Sequence, residues 1–171
     1  LPLGIDLYEE SSIRKFYREI LLHYDHIDVV VNNSQVKPEG FYNSFENYSK
    51  ETLMRDMEGN TVGTAISCQE ACKIFIDQGY GNIVNVSSIY GIIGADQRLY
   101  DGVKNIYFPE ERFSLPISYA ISKAGIINMT RYLASYYREK NIRVNCLSPG
   151  GVYDDHDETF VRNYSERTSL G

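Results

Sequence analysis

The chain has 171 residues, of which 43% are hydrophobic and 23% are charged, a balance expected of one folded domain with a buried core. Its formal net charge is −6 and it contains no basic run, which makes nucleic acid and anionic membrane surfaces poor partners. No apolar run approaches the length of a membrane span. Three cysteines suit a reducing compartment, so we expect a cytoplasmic protein with no membrane partner.

Short apolar segments rich in β-branched residues alternate with longer helical patterns. The segments that predict strands covered on both faces are Leu3 to Ile5, Ile27 to Val31, Asn82 to Val86 and Ile142 to Leu147. The intervals that predict helices are Glu10 to His23, Ser49 to Gln78 and Ser118 to Lys140. This alternation is typical of an α/β fold with a doubly wound parallel sheet. No linker or repeat interrupts it, so we predict a single domain over 1–171.

A tyrosine and a lysine four residues apart lie at the start of the third predicted helix, next to a predicted strand end. Tyr119 and Lys123 share one helix face, and a lysine ammonium there stabilises the phenolate and lowers the tyrosine pKa from about 10. An isolated pair of this kind more often has tyrosine in the core and lysine reaching water. The same spacing begins at Tyr100, in a predicted loop, and at Tyr136, at the far end of the helix. Only Tyr119 is placed to act as a general acid/base.

In order along the chain, several segments together resemble the short-chain dehydrogenase/reductase family. They are Gly4-Ile-Asp-Leu7, Val31-Asn-Asn-Ser34, Asn60-Thr-Val-Gly63, Val84-Asn-Val-Ser-Ser88 with Tyr119 and Lys123, and Asn145 to Gly151. The resemblance implies a Rossmann-like fold and an oxidoreductase that uses NAD or NADP to interconvert a hydroxyl and a ketone. It also implies a small-molecule substrate and a homodimer or homotetramer paired through the long helices.

The same resemblance implies a role for each catalytic position. Tyr119 would exchange a proton with the substrate oxygen, and Lys123 would lower its pKa and hydrogen-bond the nicotinamide ribose. Ser88 would orient the substrate carbonyl or hydroxyl, with Ser87 as its structural neighbour. Asn60 would hold a water that links Lys123 to solvent.

Positions at the other strand ends are implied to bind the cofactor. Asp6 would meet the adenine, Asn32 the adenosine-side ribose and backbone, and Pro149, Gly150 and Val152 the nicotinamide. The residue types leave other interpretations open, since Asp6 could be a helix N-cap, Asn32 a turn residue, and the Pro-Gly pair a plain loop. Gln35 also departs from the family, which usually has glycine there, where the backbone approaches a ribose.

Residues 95–113 form an inserted segment between Ser88 and Tyr119, a gap about twice as long as the family commonly has. A long irregular segment beside a site is usually a lid or binding loop, with an oligomer contact or surface decoration as the alternative. With Ser148 to Val152 and Arg131 to Tyr136, it resembles a bacterial subgroup linked to flagellin glycosylation and nonulosonate sugar synthesis. That implies a sugar or nucleotide-sugar substrate.

The family's Gly-rich turn, which binds pyrophosphate at a helix N-terminus, is not found in the chain. Leu1 to Asp6 resembles the family's third strand. We therefore expect the first βαβα segment and the last strand to lie outside these 171 residues. We also expect the chain by itself to bind dinucleotide weakly or not at all.

Two other functions are alternatives to the oxidoreductase. A non-catalytic relative, either a pseudoenzyme or an assembly partner, would keep the sheet without using the dinucleotide, but the set Asn60, Ser88, Tyr119 and Lys123 favours an enzyme. A sugar epimerase or dehydratase is a lesser alternative. We predict no metal site, because Cys68 and Cys72 are accompanied by no further ligands at zinc-site spacing. His156 lies in the segment expected to cover the substrate and could touch a ligand there, but we interpret it as a solvated loop histidine.

Overall fold

A three-stranded parallel sheet forms the centre of the computed structural model, which describes residues 1–169. Its strands are β1 (Val29–Asn32), β2 (Gly81–Val86) and β3 (Ile142–Leu147) in that spatial order. Val84 of β2 lies opposite Val31 of β1 on one side and Asn145 of β3 on the other. Both pairings are parallel, with helical crossovers between the strands, which confirms the predicted α/β class.

Five α-helices connect and cover the strands: α1 (Glu10–Leu21), α2 (Lys50–Asp56), α3 (Gly63–Gln78), α4 (Ile117–Tyr136) and α5 (Glu158–Ser165). Short 3-10 turns occur at Phe45–Asn47, Ile89–Gly91 and Gln97–Tyr100. Between α2 and α3, Met57–Val62 is a π-helix, so the helix predicted from Ser49 to Gln78 is continuous but widened in its middle. A π-helical turn is frequently found at functional sites.

The predicted strand at Leu3 to Ile5 is wrong. These residues have no regular secondary structure, and no backbone of residues 1–169 pairs with them as a strand. An apolar, β-branched segment predicts burial against a sheet, and Ile5 does pack against the core. Strand pairing depends in addition on a neighbouring backbone, which local composition does not report.

Two helix ends also differ from prediction. Helix α4 ends at Tyr136 rather than Lys140, because residues 137–140 form turns and Asn141 takes a left-handed backbone with φ 53°. Helix α1 ends at Leu21, two residues before the predicted end at His23. The other strand and helix predictions agree to within about two residues, the usual uncertainty of a boundary.

The main core lies between the sheet and the pair α1 and α3. Ile13 and Phe75 are completely buried there, with Ile83 of β2 beneath them. The ring of Phe75 lies directly over Gly81, where a Cβ atom would overlap it, so glycine at the start of β2 permits this close contact. Helix α4 packs against β2 and β3 and brings its first turns to the carboxyl ends of the strands.

Candidate active site

Two serines follow β2 directly and have different tasks. The Ser87 hydroxyl donates a hydrogen bond of 2.7 Å to the carbonyl of Lys123 and so ties the strand end to α4. The Ser88 hydroxyl accepts from the backbone N–H of Tyr90 at 3.2 Å, which caps the short turn Ile89–Gly91. Ser88 is therefore fixed in position with its own proton still available, as an orienting residue requires.

Gly91 holds this turn against α4. A Cβ atom there would come within 2.7 Å of the carbonyl carbon of Lys123, so only glycine permits the approach. The contact keeps Ser88 next to the helix that carries Tyr119 and Lys123.

The predicted tyrosine and lysine come together in the first turns of α4. The Lys123 Nζ lies 5.6 Å from the centroid of the Tyr119 ring and donates a hydrogen bond of 3.1 Å to the carbonyl of Val86. Lys123 is buried, whereas Tyr119 is half-buried. Burial lowers the pKa of Lys123, and the negative charges available at Asp56 and Cys146 oppose that shift.

The other two tyrosines with a lysine four residues on have separate environments. Tyr136 is 66% exposed and stacks on Tyr132 with their ring centroids 5.7 Å apart, far along α4 from the site. Tyr100 is buried, and desolvation, followed by the nearby hydroxyls of Tyr90 and Tyr119, raises its pKa. Tyr100 thus neighbours Tyr119, and this proximity was not predicted from the sequence. The available signal was the position of Tyr100 in an inserted segment rich in aromatic residues.

Asn60, within the π-helix, uses its side-chain amide to hold the segment after β1. Its Oδ1 accepts from the Val36 N–H at 2.8 Å, and its Nδ2 donates to the Val36 carbonyl at 2.9 Å. The Asn60 carbonyl accepts from the Thr64 hydroxyl at 2.7 Å. A water bound to the Asn60 carbonyl would therefore share that carbonyl with the Thr64 hydroxyl. The water-holding role of Asn60 stays a prediction.

Two residues predicted to bind the adenosine side of the cofactor already have intramolecular partners. The exposed Asp6 accepts at Oδ1 from the Tyr8 N–H at 2.9 Å, and the helix N-cap is Glu9, not Asp6. The Asn32 amide points into the protein, donating to Asn85 Oδ1 at 2.8 Å and accepting from Ser67 at 2.7 Å.

The buried network around Asn32 was not found from the sequence. Asn85 lies within β2, is completely buried and donates to the Thr130 hydroxyl of α4 at 2.9 Å. On the other side, Ser67 is hydrogen-bonded to the hydroxyl of Tyr17 at 2.8 Å. A polar residue inside an otherwise apolar strand, as in Asn82 to Val86, was the only available signal. The network joins α1, α3 and α4 behind the strand ends.

The segment after β3 lies beside Ser88. The Pro149 carbonyl accepts from the Ile89 N–H at 3.0 Å, and the Gly151 N–H donates to the Tyr164 hydroxyl at 2.6 Å. Gly150 is exposed, and Val152 is 73% exposed. The structure therefore places the predicted nicotinamide-binding turn at the same edge of the sheet as Ser88, where ligands bind in open α/β sheets.

A cleft of about 590 Å³ opens beside Tyr119. The inserted segment and α5 supply much of its wall, and Asn163 of α5 donates to the carbonyls of Leu99 and Asp101 at 3.1 and 3.0 Å. Aromatic residues dominate this wall: Phe41, Tyr42, Tyr100, Tyr107, Phe113 and Phe160. Tyr42 and Tyr107 stack with centroids 3.9 Å apart.

Charged residues stand among these aromatics. Lys37 and Lys104 line the cleft, with the Lys37 Nζ 5.6 Å from the Tyr42 centroid. His156 lines it as well and accepts at Nδ1 from the Asp154 N–H at 3.1 Å. A second cavity, of about 260 Å³, lies along β1 and is lined by apolar side chains such as Ile5 and Val29 and by polar ones that include Asn32. It contains none of the predicted catalytic residues.

Within residues 1–169, no three histidine, cysteine, aspartate or glutamate side chains are grouped to hold a metal ion. None of the helices in that range combines the length and apolar character required to cross a bilayer.

The family model described as short chain dehydrogenase matches residues 1–101, and the one described as Enoyl-(Acyl carrier protein) reductase matches residues 110–166. The chain belongs to the short-chain dehydrogenase family. This confirms the resemblance stated on the motifs. Members of this family use NAD or NADP as the cofactor, as predicted.

Three relatives illustrate the similarity of this short-chain dehydrogenase chain. Post-translational flagellin modification protein A of Campylobacter coli is 28% identical over 96% of the chain and 61% of its own length. The 3-oxoacyl-(acyl-carrier-protein) reductase FabG of Aquifex aeolicus is 28% identical over 98% of the chain and 60% of its own. A short-chain dehydrogenase of Leptospira borgpetersenii, solved with bound NAD+, is 30% identical with a TM-score of 0.83, covering 99% of this chain and 61% of that one. The chain thus spans about three fifths of the length of these relatives.

Proposed function

We propose that the protein is a cytoplasmic NAD(P)-dependent oxidoreductase that interconverts a hydroxyl and a ketone on a polar, sugar-like substrate. The observation that carries this proposal is the buried Lys123 ammonium beside Tyr119, at a strand end with Ser88 and at the wall of an aromatic cleft. A non-catalytic relative has no need to keep an amine buried next to a phenol, where burial disfavours its charge.

The residues at the strand ends fit a nicotinamide dinucleotide. An ammonium carries three donors, and Lys123 uses one of them on the Val86 carbonyl. The remaining donors are available to ribose hydroxyls at the edge of the sheet where Ser88 and Pro149 lie. The bound nicotinamide would supply the hydride that joins or leaves the substrate carbon.

In the direction of reduction, Ser88 donates a hydrogen bond to the substrate carbonyl and holds it towards Tyr119. The Tyr119 hydroxyl gives its proton to that oxygen as the C–H bond forms, so the carbonyl becomes a hydroxyl and Tyr119 becomes a phenolate. Lys123 stabilises the phenolate through its positive charge. In the direction of oxidation, the phenolate removes the hydroxyl proton.

The cleft supports the polar, sugar-like substrate. Aromatic faces such as those of Tyr42 and Tyr107 pack against the apolar faces of sugar rings, while Lys37 and Lys104 provide donors for hydroxyl or acidic groups. One relative is named a flagellin modification protein, which agrees with the resemblance to the flagellin-linked subgroup from which this substrate class was predicted. The similarity to a 3-oxoacyl reductase suggests the comparison substrate for a test.

The test is a turnover assay on the full-length protein with NADH and NADPH. Keto sugars, nucleotide-linked keto sugars and a 3-oxoacyl thioester are offered in parallel. The proposal expects cofactor-dependent turnover of a sugar substrate that disappears in Tyr119→Phe. Turnover of the thioester alone would contradict the substrate class. No turnover and no dinucleotide binding by the full-length protein would favour a pseudoenzyme.

We also propose a homodimer or homotetramer. Ile76 of α3 and Ile121, Tyr132 and Tyr136 of α4 are each at least 40% exposed, more apolar surface than solvated helices usually present. Pairing of these helices across a two-fold axis would cover that surface. Light scattering on the full-length protein at micromolar concentration should give a dimer or tetramer, and a monomer would contradict the proposal.

A further inference from the structure

A completely buried carboxyl group lies behind the site and has no part in the mechanism above. Asp56 is the last residue of α2, one helical turn before Asn60, and its side chain has no solvent exposure. Within residues 1–169, neither carboxyl oxygen has a partner at hydrogen-bonding geometry. Burying a carboxyl group without hydrogen-bond partners lowers the stability of the folded protein, so the presence of Asp56 here calls for a physical explanation.

Polar groups surround Asp56 without satisfying it. The Asn60 amide and the hydroxyls of Ser118 and Ser122, all buried, lie near enough to favour the carboxylate, although none of them meets it at hydrogen-bonding geometry. Each hydroxyl is already engaged, because Ser118 is hydrogen-bonded to the Tyr48 hydroxyl at 2.7 Å and Ser122 donates to the Tyr119 carbonyl at 3.1 Å. The Asp56 carboxyl is thus enclosed by the residues that flank Tyr119.

Lys123 is a buried group of opposite charge whose attraction reaches Asp56, although the two side chains do not form a direct ion pair. Arg55, the neighbour of Asp56 in α2, is half exposed and pairs with Glu58 instead. The titratable groups facing Asp56 or Lys123 come from several elements: Tyr8 before α1, Tyr48 before α2, Tyr119 of α4 and Cys146 of β3. Tyrosine and cysteine side chains are neutral or anionic, so none of these four groups can supply the positive charge that Lys123 carries.

We propose that Asp56 is a positioning residue whose carboxylate keeps the Lys123 ammonium protonated beside Tyr119. This inference rests on the proposed function, because it assigns Asp56 to the same proton-transfer site. Asp56 touches neither substrate nor cofactor and acts through Lys123.

The opposite effects of burial on the two groups support the pairing. Burial raises the pKa of Asp56 and lowers the pKa of Lys123, so each group by itself would be neutral over a wider pH range. The Asp56 charge is the largest influence that opposes the shift at Lys123, while at Asp56 the Lys123 charge adds to the effects of Asn60, Ser118 and Ser122. At acid pH, Lys123 is protonated without help. As the pH rises, Asp56 becomes a carboxylate, and its charge keeps the proton on Lys123. The effect of Asp56 on the protonation of Lys123 is therefore expected at alkaline pH.

A first experiment measures Lys123 directly, without substrate or cofactor. Competitive labelling of lysine amines with acetic anhydride over a pH series, read by mass spectrometry, compares wild type with Asp56→Asn in the full-length protein. The matched control is Asp77→Asn, the same change at an exposed site in α3. We expect Asp56→Asn to make Lys123 reactive at lower pH and the control to leave it unchanged. Unchanged Lys123 reactivity in folded Asp56→Asn would overturn the inference, whatever the enzyme's activity proves to be.

A second experiment uses turnover. The ratio of kcat at pH 9 to kcat at pH 7 should fall about 3-fold or more in Asp56→Asn relative to wild type, with little change in Asp77→Asn. A loss of kcat equal at every pH would show a purely structural role and overturn the inference. Asp56→Glu, which keeps the charge, should restore the wild-type ratio. If Asp56→Asn does not fold, Asp56→Thr removes the charge at similar volume and is measured in both ways.

Discussion

The two sides of the sheet edge differ in how firmly their side chains are held. Around β2 and α4, Ser88 and Lys123 are buried and hydrogen-bonded to neighbouring backbone. Around β1 and the segment after β3, Asp6 and Val152 are exposed, and β1 itself shows half-exposed Val29 and Val31. Helix α4 packs on two strands at once, whereas β1 pairs on one edge within the described residues. Ser88 and Lys123, two of the proposed catalytic residues, are therefore preorganised, and the proposed cofactor-binding groups are only partly enclosed.

The strongest test of the preorganised side removes the hydroxyl of Tyr119. Tyr119→Phe should lower kcat by about 100-fold or more, because a lost general acid/base costs on that scale, while dinucleotide affinity stays near wild type. Steady-state kinetics with the substrate found in the turnover assay measure it, and Tyr136→Phe is the matched control on the same helix. Near-normal turnover in Tyr119→Phe together with collapse in Tyr136→Phe would reverse the assignment.

Removing the buried Lys123 amine should affect both proton transfer and cofactor binding. Lys123→Ala should lower kcat by about 10-fold or more and weaken dinucleotide binding, because Lys123 is proposed both to stabilise the phenolate and to hold a ribose. Isothermal calorimetry and kinetics measure the two effects, with the exposed Lys140→Ala as control. Loss of turnover with unchanged binding would remove the ribose contact from the proposal.

Asn32 distinguishes a structural residue from a cofactor ligand. Asn32→Ala should lower the free energy of unfolding by about 1–3 kcal/mol, because it removes one hydrogen bond each from Asn85 and Ser67. Urea unfolding measures this, and Asn47→Ala, at an exposed site, should change little. Unchanged stability with weakened dinucleotide binding would show that Asn32 serves the cofactor alone.

Tyr100→Phe tests the inserted segment. The hydroxyl of Tyr100 lies near those of Tyr90 and Tyr119 in the wall of the cleft, so its loss should raise KM a few-fold with kcat little changed. Steady-state kinetics measure KM and kcat, and Tyr107→Phe, a change to another tyrosine of the same wall, is compared in parallel. A fall in kcat comparable to that of Tyr119→Phe would make Tyr100 a participant in proton transfer.

The smallest expected effect concerns pH and the network behind β1. Burial raises the pKa of Tyr17 to about 12 from 10, so its neutral form stabilises the fold fully below pH 10 and that stability is lost as the pH rises towards 12. Tyr17→Phe, which cannot ionise, should therefore lose less stability over this range. Thermal melts at pH 9 and pH 11 measure the loss of stability in each protein. If the variant loses as much stability as wild type, groups other than Tyr17 cause the pH dependence.

Local pattern was sufficient for much of the fold and for the central pair of the site. The strand Ile142 to Leu147 was predicted at its exact bounds, and Tyr119 with Lys123 was chosen because four-residue spacing near a helix start puts both on one face. These features depend on residues close together in the chain, where helix and strand periodicity act directly.

The features that the sequence did not predict depend on residues far apart in the chain. The enclosure of Asp56 by Ser118 and Ser122, and the approach of Tyr100 to Tyr119, arise only when α2, the inserted segment and α4 pack together. Leu3 to Ile5 likewise has the composition of a strand but no partner strand among residues 1–169. By itself, the sequence determined the order of the main helices and strands and the placement of Tyr119 and Lys123 on one face of a helix. Only tertiary packing decided which polar groups are buried together, because burial and long-range hydrogen bonds belong to the assembled fold rather than to any one segment.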